Sequence, residues 1–335
     1  MTDVGTAAGT DNTGRTMNVQ QHSPPERGRE RAAYVMLTAM AICFGGTWVA
    51  GAVAVDAAPP FTIAAIRFGV ASILLFAWAR LANRPLSGLR GRDWPLVAGL
   101  GLTAIAGYNW LFLTGLTLAP ASDGAIIVPG LAPVFTLVLA AAFLRERVGV
   151  RGYVGLAVAV AGLYLVVNPS GATDGRRLLG DFMFLAGAVC WGIYSVLARI
   201  ASRRFDAVST TLYGTALGTV ILVPAALLEG GAERLATAPI EAIVGIAYLA
   251  LFGTVGAFVL LNLGVARIGA ARASAFALLV PVIGVLSSVA LLGETLGPLT
   301  VVGGAIVLVG LWLVEQRGGE SWPRQVPSEG DARTT

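Results

Sequence analysis

Apolar runs of helical length recur along the chain, each broken by proline, glycine or a cluster of charge. They lie at about 32–55, 61–80, 94–118, 122–144, 149–167, 179–199, 207–228, 240–264, 272–292 and 298–315. About 20 mostly apolar residues in helical form cross the hydrocarbon core of a bilayer. The pattern therefore predicts an all-α polytopic membrane protein with ten transmembrane helices. An open sheet would leave backbone polar groups unsatisfied in lipid, and the runs lack the strict alternation of a barrel strand. The polar ends, 1–31 and 316–335, read as disordered tails. Residues 168–178 read as a linker. The N-terminal tail has no apolar stretch followed by a small-residue cleavage site, so it is not read as a signal peptide.

The arginines sort by loop. With the N-terminus placed in the cytoplasm, the inner loops receive 16 of them, among them Arg80, Arg145, Arg203 and Arg272. The outer loops receive three: Arg176, Arg177 and Arg234. Positive charge collects on the cytoplasmic side, so both termini are expected there, in the inner membrane of a bacterium.

The chain also repeats itself. "APVFTLVLAAAFLRERVG" at 132–149 aligns with "VPVIGVLSSVALLGETLG" at 280–297. Pro133 matches Pro281, Glu146 matches Glu294, and Gly155 and Gly162 match Gly303 and Gly310. "AICFGG" at 41–46 is echoed by "AVCWGI" at 188–193. Two halves of five spans follow, 32–167 and 179–315. Five is odd, so the second half enters the membrane from the opposite side. Inverted repeats of this kind are typical of secondary transporters, with a site near the midplane between the halves.

The two long phrases, with "LAPASDGAII" (118–127), "RIGAARASAF" (267–276) and "AAIRFGVASILL" (64–75), resemble the EamA family of the drug/metabolite transporter superfamily. The resemblance covers about 32–315. It implies ten helices around a central cavity, helices 5 and 10 outside as scaffold, and export or exchange of small metabolites. Pro133, Glu146, Pro281 and Glu294 fall on the family pattern. Asp123 departs from it.

Several residues are candidates to line the cavity. Arg67 is the arginine set well inside a span. It reads as an anion or carboxylate contact, as half of an ion pair with Asp56 or Asp123, or as a side chain snorkelling to the outer interface. Tyr108, Asn109 and Trp110 sit near the middle of helix 3, where an amide faces protein or water. They read as substrate contacts or as an interhelical hydrogen bond with aromatic packing. Trp48 on helix 1, and Trp191, Tyr194 and Ser195 on helix 6, offer an aromatic wall or plain packing. Asp123 opens helix 4 as a cap, or as a proton or cation site near the outer mouth. The spans carry no other mid-membrane acid, so proton coupling has thin support. Pro133, Pro281, Glu146 and Glu294 read as structural, the glutamates anchoring helix ends through the dipole of the next helix. The glycines at 155, 162, 303 and 310 mark small faces for close packing, a homodimer interface being one version.

Composition narrows the function. The chain is 56% hydrophobic and 13% charged, against roughly 25% charged in soluble domains. Its partners are thus lipid and a small-molecule substrate, and no nucleic acid is expected. The single histidine, His22, lies in the tail, and Cys43 and Cys190 sit in apolar runs. These give no metal site, no cofactor and no acid–base pair, so an intramembrane enzyme is disfavoured; the short loops between spans disfavour a scaffold. The leading expectation is a secondary transporter exporting small amphipathic metabolites such as amino acids. Efflux of lipophilic cations is the alternative.

Overall fold

The computed structural model describes residues 24–83, 85–144, 149–167 and 174–315. Every regular element among them is helical. Among the described residues, nine helices are long and apolar enough to cross a membrane. They are α1 (Arg29–Val55), α2 (Pro60–Leu81), α3 (Gly91–Leu116), α4 (Ala121–Leu144), α5 (Val150–Val167), α6 (Gly175–Ala201), α7 (Val208–Glu229), α8 (Ile240–Ile268) and α9 (Arg272–Leu292). A shorter apolar helix, α10 (Pro298–Val314), follows. Large apolar side chains such as Val35, Ile73, Phe143, Tyr164, Leu228 and Leu286 project outward from them, as a lipid-facing surface requires.

Some boundaries differ from the hydropathy reading. Helical structure starts at Pro24, inside the stretch expected as tail. α6 starts at Gly175 rather than 179, because Asp174 caps it and accepts the Arg176 N–H at 3.1 Å. Hydropathy cannot place that start, since the first turn of α6 carries two arginines. The remaining parts of both tails, most of the linker and Glu146 lie outside the described residues.

α5 and α10 pack against each other, and the repeated glycines explain why. A Cβ on Gly162 would stand 2.7 Å from the Gly303 carbonyl oxygen, and one on Gly155 would stand 2.9 Å from that of Gly310. Between lipid-soaked helices association rests on close backbone packing, which a methyl group here would prevent. The glycine face is thus filled within the chain. It is not free for a second copy, which corrects the dimer version of that expectation.

The other helices form a body in which the halves interleave: α4 packs on α6 and α9, α2 on α7, and α1 on α8 and α9. Side chains join the halves at both ends. At one end Glu294 accepts the Ala121 and Ser122 N–H groups, at 2.7 and 3.0 Å. Glu229 at the end of α7 accepts the Thr62 N–H at 3.0 Å. At the other end Arg204 pairs with Asp93 at 2.8 Å, and Arg272 with Glu30 at 3.1 Å. So α1 starts where α9 starts, whereas α6 starts beside α4, at the end where α9 stops.

Glu294 departs from its expected partner. It does serve a helix N-terminus, but that of α4 in the other half rather than of the following α10. The unpaired first amides of α4 lie within reach because α9 and α4 pack together.

Candidate functional site: a buried arginine between two widened helix turns

Two of the helices are interrupted at matching places. α3 carries a π-helical segment at Gly101–Gly107, and α8 carries one at Leu251–Gly256. Such segments widen the helix and release carbonyls from the regular ladder. Each ends on a glycine whose Cβ would come close to the carbonyl oxygen five residues back: 2.9 Å from Leu102 for Gly107, and 3.1 Å from Leu251 for Gly256. The released register is used. Asn109 Nδ2 donates to the Ala104 carbonyl at 2.8 Å, and Thr254 Oγ1 donates to the Leu249 carbonyl at 3.0 Å.

Arg67 of α2 reaches between these segments. Its Nη1 donates to Asn109 Oδ1 at 3.0 Å, its Nε to Thr254 Oγ1 at 3.0 Å, and its Nη2 to the Gly253 carbonyl at 3.2 Å. All three acceptors are neutral. The Phe68 ring lies 4.9 Å from the guanidinium carbon. Arg67 is 7% exposed, and among the described residues no carboxylate pairs with it. Asp56 ends α1 on the surface, and Asp123 is engaged elsewhere, so neither is the expected ion-pair partner. A guanidinium has five N–H donors. Three are engaged and two remain.

Arg67 lines a cavity of about 70 Å³. At roughly 10–15 Å³ per water centre, it holds several waters or the polar end of a small solute. Arg67 and Asn109 supply its polar wall, and Tyr108, Trp191 and Tyr194 its aromatic wall. Tyr108 meets Trp191 edge-on with centroids 5.1 Å apart, and Trp191 lies 5.4 Å from Tyr194. Threonines of α7, among them Thr210 and Thr215, complete the lining with Thr254.

Five of the nine expected cavity residues therefore meet here. The other four lie elsewhere. Trp48 is buried behind the cavity, edge-on to Phe112 and Phe184 at 5.0 and 5.7 Å. Trp110 faces outward, stacked on Phe61. Ser195 turns its hydroxyl to the Trp191 carbonyl of its own helix. Asp123 sits in a separate cluster, where Arg177 grips both its oxygens at 2.8 and 3.0 Å. It does not cap α4, since Glu294 holds the first amides.

Sequence reasoning missed Thr254, the Gly253 carbonyl and the α7 threonines. Thr211 and Thr215 share a helix face at i, i+4, a signal that a search for charged and aromatic residues passes over. It also missed Asp181, 2% exposed and buried beside Asp123. Read from 179, that residue looks interfacial. With α6 starting at Gly175 it lies six residues in, about 9 Å along the helix.

The chain matches the EamA-like transporter family over residues 31–168 and 178–315. It is 31% identical over 253 residues to a protein of Streptantibioticus cattleyicolor named "Probable terminal-alkyne amino-acid exporter", covering 75% of this chain and 82% of that one. It is 29% identical over 282 residues to the "Uncharacterized inner membrane transporter YedA" of Escherichia coli K12, covering 82% and 89%. A solved crystal structure shares the fold at TM-score 0.56 and 20% identity, over 87% of this chain and 99% of that chain. The chain belongs to the EamA-like transporter family, with the two-repeat helical architecture of that family, and is a multi-pass inner-membrane protein.

Proposed function

We propose that this member of the EamA-like transporter family exports small amphipathic metabolites bearing a carboxylate, such as amino acids or related compounds, by alternating access. The observation that carries the reading is Arg67: a buried guanidinium held by three neutral acceptors, with two N–H donors to spare, in the lining of an aromatic-walled cavity. A buried charge without a counter-charge is costly, and a substrate carboxylate would supply the counter-charge with a bidentate fit. The amino-acid exporter among the relatives supports the same substrate class.

The working topology is ten spans with both termini cytoplasmic, in five-helix halves at 32–167 and 179–315. The opposed starts of α1 and α6 support an inverted arrangement, and side-chain ties at both ends give each face a seal to open in turn. The chain acts as a carrier and not as an enzyme. Efflux of lipophilic cations draws on the aromatic wall, but Arg67 in the same cavity repels a cation.

The test is flux in proteoliposomes with a panel of amino acids, their decarboxylated amines and cationic dyes. The proposal expects saturable movement of the amino acids, lowered about 100-fold or more by Arg67→Gln, the worth of two charge-assisted hydrogen bonds. Saturable movement of dyes, indifferent to Arg67→Gln, would favour the cation reading instead.

A further inference from the structure

At the end of the body that holds Glu294, the buried charges do not balance. Asp123 of α4 is 1% exposed and Asp181 of α6 is 2% exposed. One guanidinium, Arg177, serves them, and its fork is spent on Asp123. Arg176 is turned to the Thr117 carbonyl at 2.8 Å. Glu294 also faces the cluster, with its two oxygens on the Ala121 and Ser122 amides. Asp181 is left without any of these donors: both its oxygens are buried and unpartnered among the described residues. The group within its reach is the Asp123 carboxylate, an acceptor. On its other side lies an apolar groove between α5 and α6, of about 240 Å³, lined by residues such as Leu163, Val167 and Leu185, with Tyr164 at its rim. A bare carboxylate there, beside another and facing hydrocarbon, is among the least favourable placements a side chain can have.

We propose that Asp181 and Asp123 form a proton-binding site, in which one proton is held on Asp181 and shared toward Asp123. Adding that proton makes an O–H bond on a carboxyl oxygen and breaks no other bond. The cluster of two carboxyls and Arg177 passes from one net negative charge to none, and releasing the proton to water restores the charge. The proton also supplies the hydrogen bond that Asp181 otherwise lacks, since a protonated carboxyl donates where an ionised one only accepts.

The place of the site gives the proton a use, and this use rests on the transport reading above. Asp181, Phe184, Ala188 and Trp191 follow one another along one face of α6, from the carboxyl pair past the packed Trp48–Phe112–Phe184 group to the cavity wall. The Arg177–Asp123 pair ties that helix to α4. When Asp181 loses its proton it competes for Arg177 and weakens the tie, so protonation favours the latched end and deprotonation its release.

The experiment uses the full chain in liposomes. Infrared difference spectra across a pH titration should show the carbonyl stretch of one buried carboxylic acid, shifted by deuterium and lost in Asp181→Asn. The hydrophobic carbodiimide dicyclohexylcarbodiimide reacts from an apolar phase with protonated carboxyls, whose proton passes to its nitrogen as their oxygen adds to its central carbon; it should label Asp181 in the wild type, less as pH rises. That labelling, mapped by mass spectrometry, decides the matter if Asp181→Asn does not fold. A pH gradient should change substrate flux several-fold in the wild type and lose its effect in Asp181→Asn. No carboxylic acid band assignable to Asp181, together with no adduct on it at any pH, overturns the site. A chain that moves no solute but keeps the band and the adduct sinks the transport reading and leaves the site standing. Band and adduct with flux indifferent to the gradient overturn the coupling.

Discussion

Two sets of charge are buried in this protein, and they are satisfied in opposite ways. Arg67 is a lone cation surrounded by an amide, a hydroxyl and a carbonyl. The Asp123–Asp181 pair is an excess of acid around one arginine. The first lacks a negative charge, and the second lacks a positive one. Direct pairing between them would have balanced both, and it does not occur. Packed aromatics, Trp48, Phe112 and Phe184, fill the body behind the cavity instead. On the two proposals above, each site takes its missing charge from outside the chain: a carboxylate in one case, a proton in the other.

The comparison breaks most sharply at Arg67. Arg67→Gln removes the charge and three hydrogen bonds, and amino-acid flux should fall by about 100-fold or more, from a loss of about 1.5–3 kcal/mol for each charged hydrogen bond to substrate. Arg67→Lys keeps the charge but not the fork, so the loss should be partial. Equal flux in the three proteins would mean the guanidinium is structural.

Arg177→Gln should produce the next largest effect, on folding rather than on substrate selection. It leaves two buried carboxyls without a cation. The side chain of Arg177 is 30% exposed, so the cost should fall below the 3–5 kcal/mol of a fully buried pair, at about 1–3 kcal/mol. Asp123→Asn in the same chain should restore most of it, and thermal unfolding in detergent reads the cycle. Additive losses would show that the two residues are not coupled. By charge balance the single variant should regain stability as pH falls, because protonation removes the unpaired charge.

Smaller effects sharpen the contrast. Asn109→Leu takes one acceptor from Arg67 and should lower flux about tenfold, the worth of one such bond, with an unchanged unfolding midpoint. A lost fold instead would assign Asn109 to packing alone. Glu294→Gln should cost about 0.5–2 kcal/mol as a weakened helix cap while leaving substrate affinity untouched. A changed affinity would place Glu294 in the substrate path.

Much of this was legible along the chain. Helical apolar runs and their doubling predict the two-repeat architecture, because lipid demands long apolar helices. Arg67, Tyr108, Asn109, Trp191 and Tyr194 could be selected because polar and aromatic groups at mid-span need a reason to be there. What stayed hidden depends on contacts between distant segments. Glu294 caps a helix 173 residues earlier in the chain, and no local pattern points to it. The π-helical segments, "GLTAIAG" and "LFGTVG", have the composition of any transmembrane stretch. Asp181 was passed over because two arginines in the first turn of α6 masked where that helix begins.

The central claim is that Arg67 receives a carboxylate, and equilibrium binding tests it without requiring transport. Purified wild-type protein and Arg67→Gln would each be titrated with an amino acid and with its methyl ester. The account predicts that the wild type prefers the free acid at least about tenfold, and that Arg67→Gln binds both alike. Equal binding of acid and ester by the wild type, or a preference for the acid that survives in Arg67→Gln, would contradict it.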